Sequence, residues 1–178
     1  FQHKSYQDAM SPFQLLRYMV RIWEQQIRDG VSLNPIIPLI LYHGQNAWTS
    51  SRTMQDIVDA PAELEHFLPQ FDSVLVDLSQ HTDSELRGNA MFNAVLLVLK
   101  YIGSDELPDR LQGIIQLFVQ IIDAPRGLES LKAVLVYLTN ATDKISHEQL
   151  TDTVQQAFKS IKSERDSPMP TIAETLIQ

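Results

Sequence analysis

Cysteine is absent from this sequence. That excludes disulfides and thiolate metal sites, and it fits a reducing cytoplasm. Long apolar runs are missing as well: the longest, "AVLLVLKYIG" and "IIPLILY", are too short to cross a bilayer. No charged-then-apolar leader is seen, so no signal peptide is expected. Basic residues are scarce, with 14 Lys and Arg against 22 Asp and Glu and a net charge of −8. Such acidity argues against nucleic-acid binding by the whole surface. It leaves room for a local basic patch among the first 28 residues, where Lys4, Arg17, Arg21 and Arg28 outnumber Asp8 and Glu24. The sequence also lacks internal repeats and low-complexity tracts, and no stretch reads as disordered.

What is present suits an ordinary folded domain: 178 residues, 44% of them apolar, enough for a sizeable core. The opening "FQHK" reads as a strand that places Gln2 and Lys4 on one face. Ser11 is the expected cap of a helix and Pro12 its first turn. Leu15, Leu16, Met19, Val20, Trp23 and Ile27 recur at helical spacing, and Gly30 supplies the stop. Residues 36–43, "IIPLILYH", read as a buried strand in which Pro38 marks a free edge or a bulge. Residues 44–72 are irregular, with short helical patches at 53–59 and 61–67, and "SVLVDLS" at 73–79 is a further strand.

The character then turns helical. The first of these helices contains "AVLLVLKYIG", with Asp83 or Ser84 as cap and Gly103 as stop. Two more follow, over "ELPDRLQGIIQLFVQIIDAP" and "GLESLKAVLVYLTNA". A fourth opens at Ser146 with Gln149 as its capping box, and "PTIAETLIQ" begins a fifth. The organisation is therefore α/β (α+β), with a strand–helix–strand unit and a later strand in 1–80 and a helical region in 81–178 expected to pack on it. The first two strands should be parallel, joined by a right-handed crossover. One helix cannot cover both faces of such a small sheet, so further strands before residue 1 are expected.

"HKSY", "FQLLRYMVRIWEQ" and "PIIPLILYHGQNAW" together closely resemble the Rpn family. These are the recombination-promoting nucleases, or YhgA-like transposases, of the PD-(D/E)XK superfamily. The resemblance runs through the "LVDLS" strand and the "LLVLKYI" helix, and more weakly to "MPTIAETLIQ". It implies a partial PD-(D/E)XK core, truncated at its N-terminus, and a metal-dependent DNA endonuclease of the bacterial cytoplasm. In that superfamily one strand carries Glu-x-Lys and the strand before it an Asp. By this resemblance Gln2 stands at the Glu position, His3 offers a backbone carbonyl to the metal, Lys4 is the lysine, and the Asp strand is not found.

The chemistry explains the pattern. Phosphodiester hydrolysis needs an activated water and charge offset on the phosphate, both of which a carboxylate-held Mg²⁺ supplies. Lysine orients the water or offsets developing charge. Glutamine at position 2 keeps the shape and loses the charge, so Mg²⁺ belongs to the active family form, with none expected here. Gln14 and Arg17, on the helix beside the strand, read either as site-facing phosphate contacts or as a solvated face. His43 is read as a DNA contact or a structural histidine, Tyr18 as packing and Trp48 as an anchor for the arm. Asp77 reaches the site only if its strand is a neighbour, and His66, His81 and His147 lack metal-ligand spacing. Two function classes result. One is an endonuclease portion disabled at Gln2, with DNA as partner. The other is a non-catalytic homodimerising short form that binds or inhibits a full-length relative. No membrane partner is expected.

Overall fold

The computed structural model describes residues 1–86, 88–122 and 126–164. It is mixed α/β and divides into two compact units, Phe1–Gln80 and His81–Gln178. The first unit contains β1 (Gln2–Lys4), α1 (Ser11–Arg28), β2 (Leu39–Tyr42) and β3 (Val74–Asp77). A 3₁₀ helix spans Ala62–Phe67 and a short one, Leu78–Gln80, follows β3. The strands form one parallel sheet in the order β1-β2-β3. Register pairs Gln2 with Ile40, Lys4 with Tyr42, and Tyr42 with Asp77.

The strands are shorter than the sequence pattern suggests. β2 begins after Pro38, which has no N–H to give a ladder; its carbonyl instead accepts from the Val74 amide at 2.9 Å. β3 ends at Asp77 because Leu78–Gln80 winds into the 3₁₀ turn. Helix α1 opens differently from expectation. Ser11 is already helical, and its amide and hydroxyl both donate to the Asp8 carbonyl, at 3.1 and 2.7 Å. Gly30, at φ +67°, ends the helix in the left-handed region, where a side chain would be strained. The expected helical patch at 53–59 is a single hydrogen-bonded turn around Met54–Val58.

Alternation puts Gln2, Lys4, Ile40, Tyr42, Leu75 and Asp77 on one face of the sheet. Leu15 of α1 packs there with Ile40, Tyr42 and Trp48. The second unit holds α2 (Ala90–Tyr101), α3 (Leu107–Gln120), α4 (Gly127–Ala141) and α5 (His147–Glu164) around an apolar core that includes Phe118, Leu111, Leu131 and Leu138. α2 is capped by Asn89, whose side chain accepts from the Phe92 amide at 2.8 Å. Asp83 and Ser84 are therefore not the cap of α2: they lie in a turn, and the Asp83 carboxylate is taken by Lys100 and Tyr101. The capping box of α5 forms, with Ser146 and Gln149 exchanging hydrogen bonds of 2.9 and 3.1 Å. The expected helix over "PTIAETLIQ" lies outside the described residues.

Candidate functional site

Lys4 is the unusual residue of the sheet. It retains only 6% of its surface, and burying an ammonium is costly unless it is paired. Its partner is Asp8, in the loop between β1 and α1, with Nζ 2.5 Å from Oδ2. Gln14, on the first turns of α1, closes the cluster: its Oε1 accepts from Lys4 at 2.9 Å and its Nε2 donates to the same Asp8 oxygen at 2.9 Å. Gln2 donates from Nε2 to Gln14 Oε1, while its own Oε1 is buried without a hydrogen-bond partner. Lys4 and Gln14 both donate to Asp8, and Gln2 and Lys4 both donate to Gln14. The Lys4 hydrogen bond holds the Asp8 carboxyl below its ordinary range, against the opposing effect of burial, with help from the Met10 amide and Gln14.

The structure thus brings Gln2, Lys4 and Gln14 together and separates the other candidates from them. Arg17 is exposed and stacks over the Tyr18 ring at 5.8 Å, outside the cluster. His43 is buried on the opposite face of the sheet, its ring stacked on His3 with centroids 6.0 Å apart. The His43 amide donates to the Lys4 carbonyl at 2.9 Å. In a parallel ladder this turns the N–H and C=O of His3 away from β2. Asp77 lies two strands from Lys4, roughly 10 Å across the sheet. Its carboxylate accepts from the Trp48 amide at 2.7 Å and from both the amide and the hydroxyl of Ser79. It is a structural acceptor that fastens Trp48, whose ring meets Tyr42 edge-on at 5.0 Å.

Two residues escaped the sequence reading. Asp8 is one: it carried a signal only as a charge four residues from Lys4, and that spacing has meaning on a helix, not in a loop. Gln7 is the other. Its amide donates to the Ala47 carbonyl at 2.8 Å and to the Tyr42 hydroxyl, and accepts from the amides of Thr49 and Ser50, pinning the arm after β2. Gly44 is required there, since a Cβ would lie 2.0 Å from the Tyr42 hydroxyl oxygen.

Mg²⁺ prefers near-octahedral oxygen coordination with carboxylates in its shell. The cluster offers a single carboxylate, already neutralised by Lys4, and two neutral amides. Among the described residues no group of three or more His, Asp and Glu is placed to hold a metal. The residues present do not fit Mg²⁺.

The family model described as "Putative transposase, YhgA-like" matches residues 1–129. The chain belongs to that family. The YhgA-like match takes in the whole sheet unit and continues through α2 and α3. No curated protein and no solved structure matches the chain. Among the described residues, no helix of this YhgA-like chain is long and apolar enough to cross a membrane.

Proposed function

We propose that the unit Phe1–Gln80 is part of a DNA endonuclease core of the recombination-promoting type, disabled for hydrolysis. One observation carries this reading: an amide, Gln2, stands two residues from a buried lysine on one strand face. A carboxylate at position 2 would share that face with Lys4 and bring the charge that a hydrolytic metal needs. Gln2 brings none, and Asp8 is committed to Lys4. What such a site retains is lysine and amide chemistry, suited to holding a phosphodiester and not to activating water. DNA is the partner of this reading, and Mg²⁺ belongs to the carboxylate-bearing form of the family.

Supercoiled plasmid incubated with the chain and Mg²⁺ or Mn²⁺ tests it. No nicking above that of a Lys4→Ala variant is expected; metal-dependent nicking that needs Lys4 would overturn the loss of hydrolysis. A second arm uses Gln2→Glu in a chain that also carries an aspartate-bearing strand alongside β1. That protein is expected to nick, and the nuclease reading fails if it takes up Mg²⁺ and leaves DNA intact.

A second reading, a non-catalytic module that pairs with a second copy or a full-length relative, has its own support. β1 lies at the edge of the sheet, and beside it a groove of about 460 Å³ is lined by Phe1, Leu15, Tyr18, Met19, Ile37 and Leu39. Ile37 is 79% exposed. Exposed apolar surface of this kind is a site for association. Sedimentation equilibrium discriminates: a mass near 20.3 kDa at every concentration rules out self-pairing.

A further inference from the structure

We infer that Asp8 is a built-in competitor for Lys4, a carboxylate that occupies the ammonium and keeps it from a DNA phosphate. This rests on the reading of Lys4 as a phosphate contact and adds the group that controls it. An ammonium has three N–H donors. Asp8 takes one at 2.5 Å, Gln14 takes another at 2.9 Å, and the Tyr6 ring stands 5.5 Å from the nitrogen. With 6% of its surface left, Lys4 is closed to a phosphate while this arrangement holds.

Asp8 is fixed independently of Lys4. Its Oδ1 accepts from the Met10 amide at 2.9 Å, its Oδ2 from Gln14, and its backbone carbonyl from Ser11. The carboxylate is therefore a preorganised acceptor that an incoming anion must displace. Its donors are an ammonium, a side-chain amide and a backbone N–H, the same types that take a DNA phosphate. The carboxylate thus stands in for one. The pair is also neutral as a unit, so while it holds Lys4 adds no net charge to attract DNA.

Asp8→Asn removes the charge, preserves the size and leaves an oxygen for the Met10 amide. Lys4, without an anionic partner, is then driven to carry its ammonium out to water. Binding of a fluorescein-labelled DNA duplex, followed by anisotropy over a series of salt concentrations, reads the consequence. The variant is expected to bind several-fold more tightly at low salt. Its log–log salt dependence should be steeper by about one unit, the signature of one added phosphate contact. The gain should vanish in Asp8→Asn/Lys4→Met.

If the unaltered chain binds DNA and Asp8→Asn binds no better, Asp8 is a structural acceptor and the competitor is overturned while the Lys4 reading stands. If neither protein binds at the lowest salt, both fall. Should Asp8→Asn prove unfolded by circular dichroism, acylation of the unaltered chain by a water-soluble active ester decides. Lys4 is expected to label several-fold more slowly than the exposed Lys132, and equal rates overturn the occlusion.

Discussion

The two units bury different chemistry. The buried polar and charged residues among those described, Lys4, Ser11, His43, Ser73 and Asp77, all fall within Phe1–Gln80. The helical unit buries a cluster of aliphatic and aromatic side chains, with Phe118, Ile115, Leu107, Leu131 and Leu138 at its centre. The apolar cluster of the sheet unit has four buried members, Leu15, Ile40, Tyr42 and Trp48. Apolar burial is favourable wherever it occurs, whereas each buried polar group must be matched by a partner. A region that carries many such groups on a small apolar cluster is organised around a polar arrangement. The helical unit is organised around packing.

The contrast is broken most severely at Phe118. It is fully buried on α3, and Phe118→Ala is expected to cost about 3–5 kcal/mol. Urea unfolding followed by far-UV circular dichroism, where the helices of the second unit contribute heavily, measures it. A loss below about 1 kcal/mol would mean that the helical core is not the tightly packed body described.

Next comes Ile40, equally buried, at the centre of the sheet face between Lys4's strand and β3. Ile40→Ala removes much of a four-residue cluster, and about 2–4 kcal/mol is expected. Trp23 and Trp48 are the two tryptophans of the chain and both lie in the sheet unit, so intrinsic fluorescence reads it. If Ile40→Ala leaves the fluorescence transition in place, the sheet unit is held mainly by its polar network.

How legible this was depended on how local each cause is. Gly30 stops α1 and Ser146 caps α5 through contacts a few residues long, and both could be read from the sequence. The succession of strands and helices along the chain followed from turn residues and apolar spacing for the same reason. Asp83 looked like a helix cap because its partners, Lys100 and Tyr101, are a helix away in the chain. Pro38 signalled a free edge or a bulge; the structure instead starts β2 at Leu39, with the Pro38 carbonyl accepting from Val74. Within the candidate site, Gln2, Lys4 and Gln14 were legible from a family resemblance, whereas Asp8 and Gln7 act through loop geometry that no spacing rule encodes.

A smaller effect is expected at Ser146. Its hydroxyl accepts from the Gln149 amide at the start of α5, and Ser146→Ala should cost about 1 kcal/mol. The dichroism transition should shift, with Ser146→Asp restoring it, since a carboxylate also caps. An unchanged transition in Ser146→Ala would show that α5 is held by Leu150, Val154 and Ala157 alone.

The smallest effect compares two lysine–carboxylate pairs, one in each unit. Asp8 is 14% exposed and Asp83 37%. Burial alone would push the Asp83 carboxyl up; hydrogen bonds from Lys100 and Tyr101, with the charges of Lys100 and Arg110, outweigh it and hold the group below its ordinary value of 3.8. Asp8 is also held below 3.8, chiefly by Lys4. A carboxylate whose pKa is lower in the folded chain binds fewer protons there than when unfolded. Its stabilisation is therefore complete above the ordinary value and is lost as pH falls through the depressed one. Both pairs should weaken the protein only below about pH 4. They should differ in salt response. Asp83 is more than one-third exposed and Arg110, which also faces it, is half exposed and shared with Glu106. Solvent screening limits that pair to about 0.2–1 kcal/mol, and added salt reduces it further. Asp8 and Lys4 are screened less. Acid unfolding read by tryptophan fluorescence should thus keep its midpoint on going from low to high salt, while Asp83→Asn costs the helical unit less at high salt than at low. Equal salt sensitivity of Asp8→Asn and Asp83→Asn would mean that Lys4 and Asp8 are as open to solvent as the exposed pair, and that the polar interior of the sheet unit is not closed.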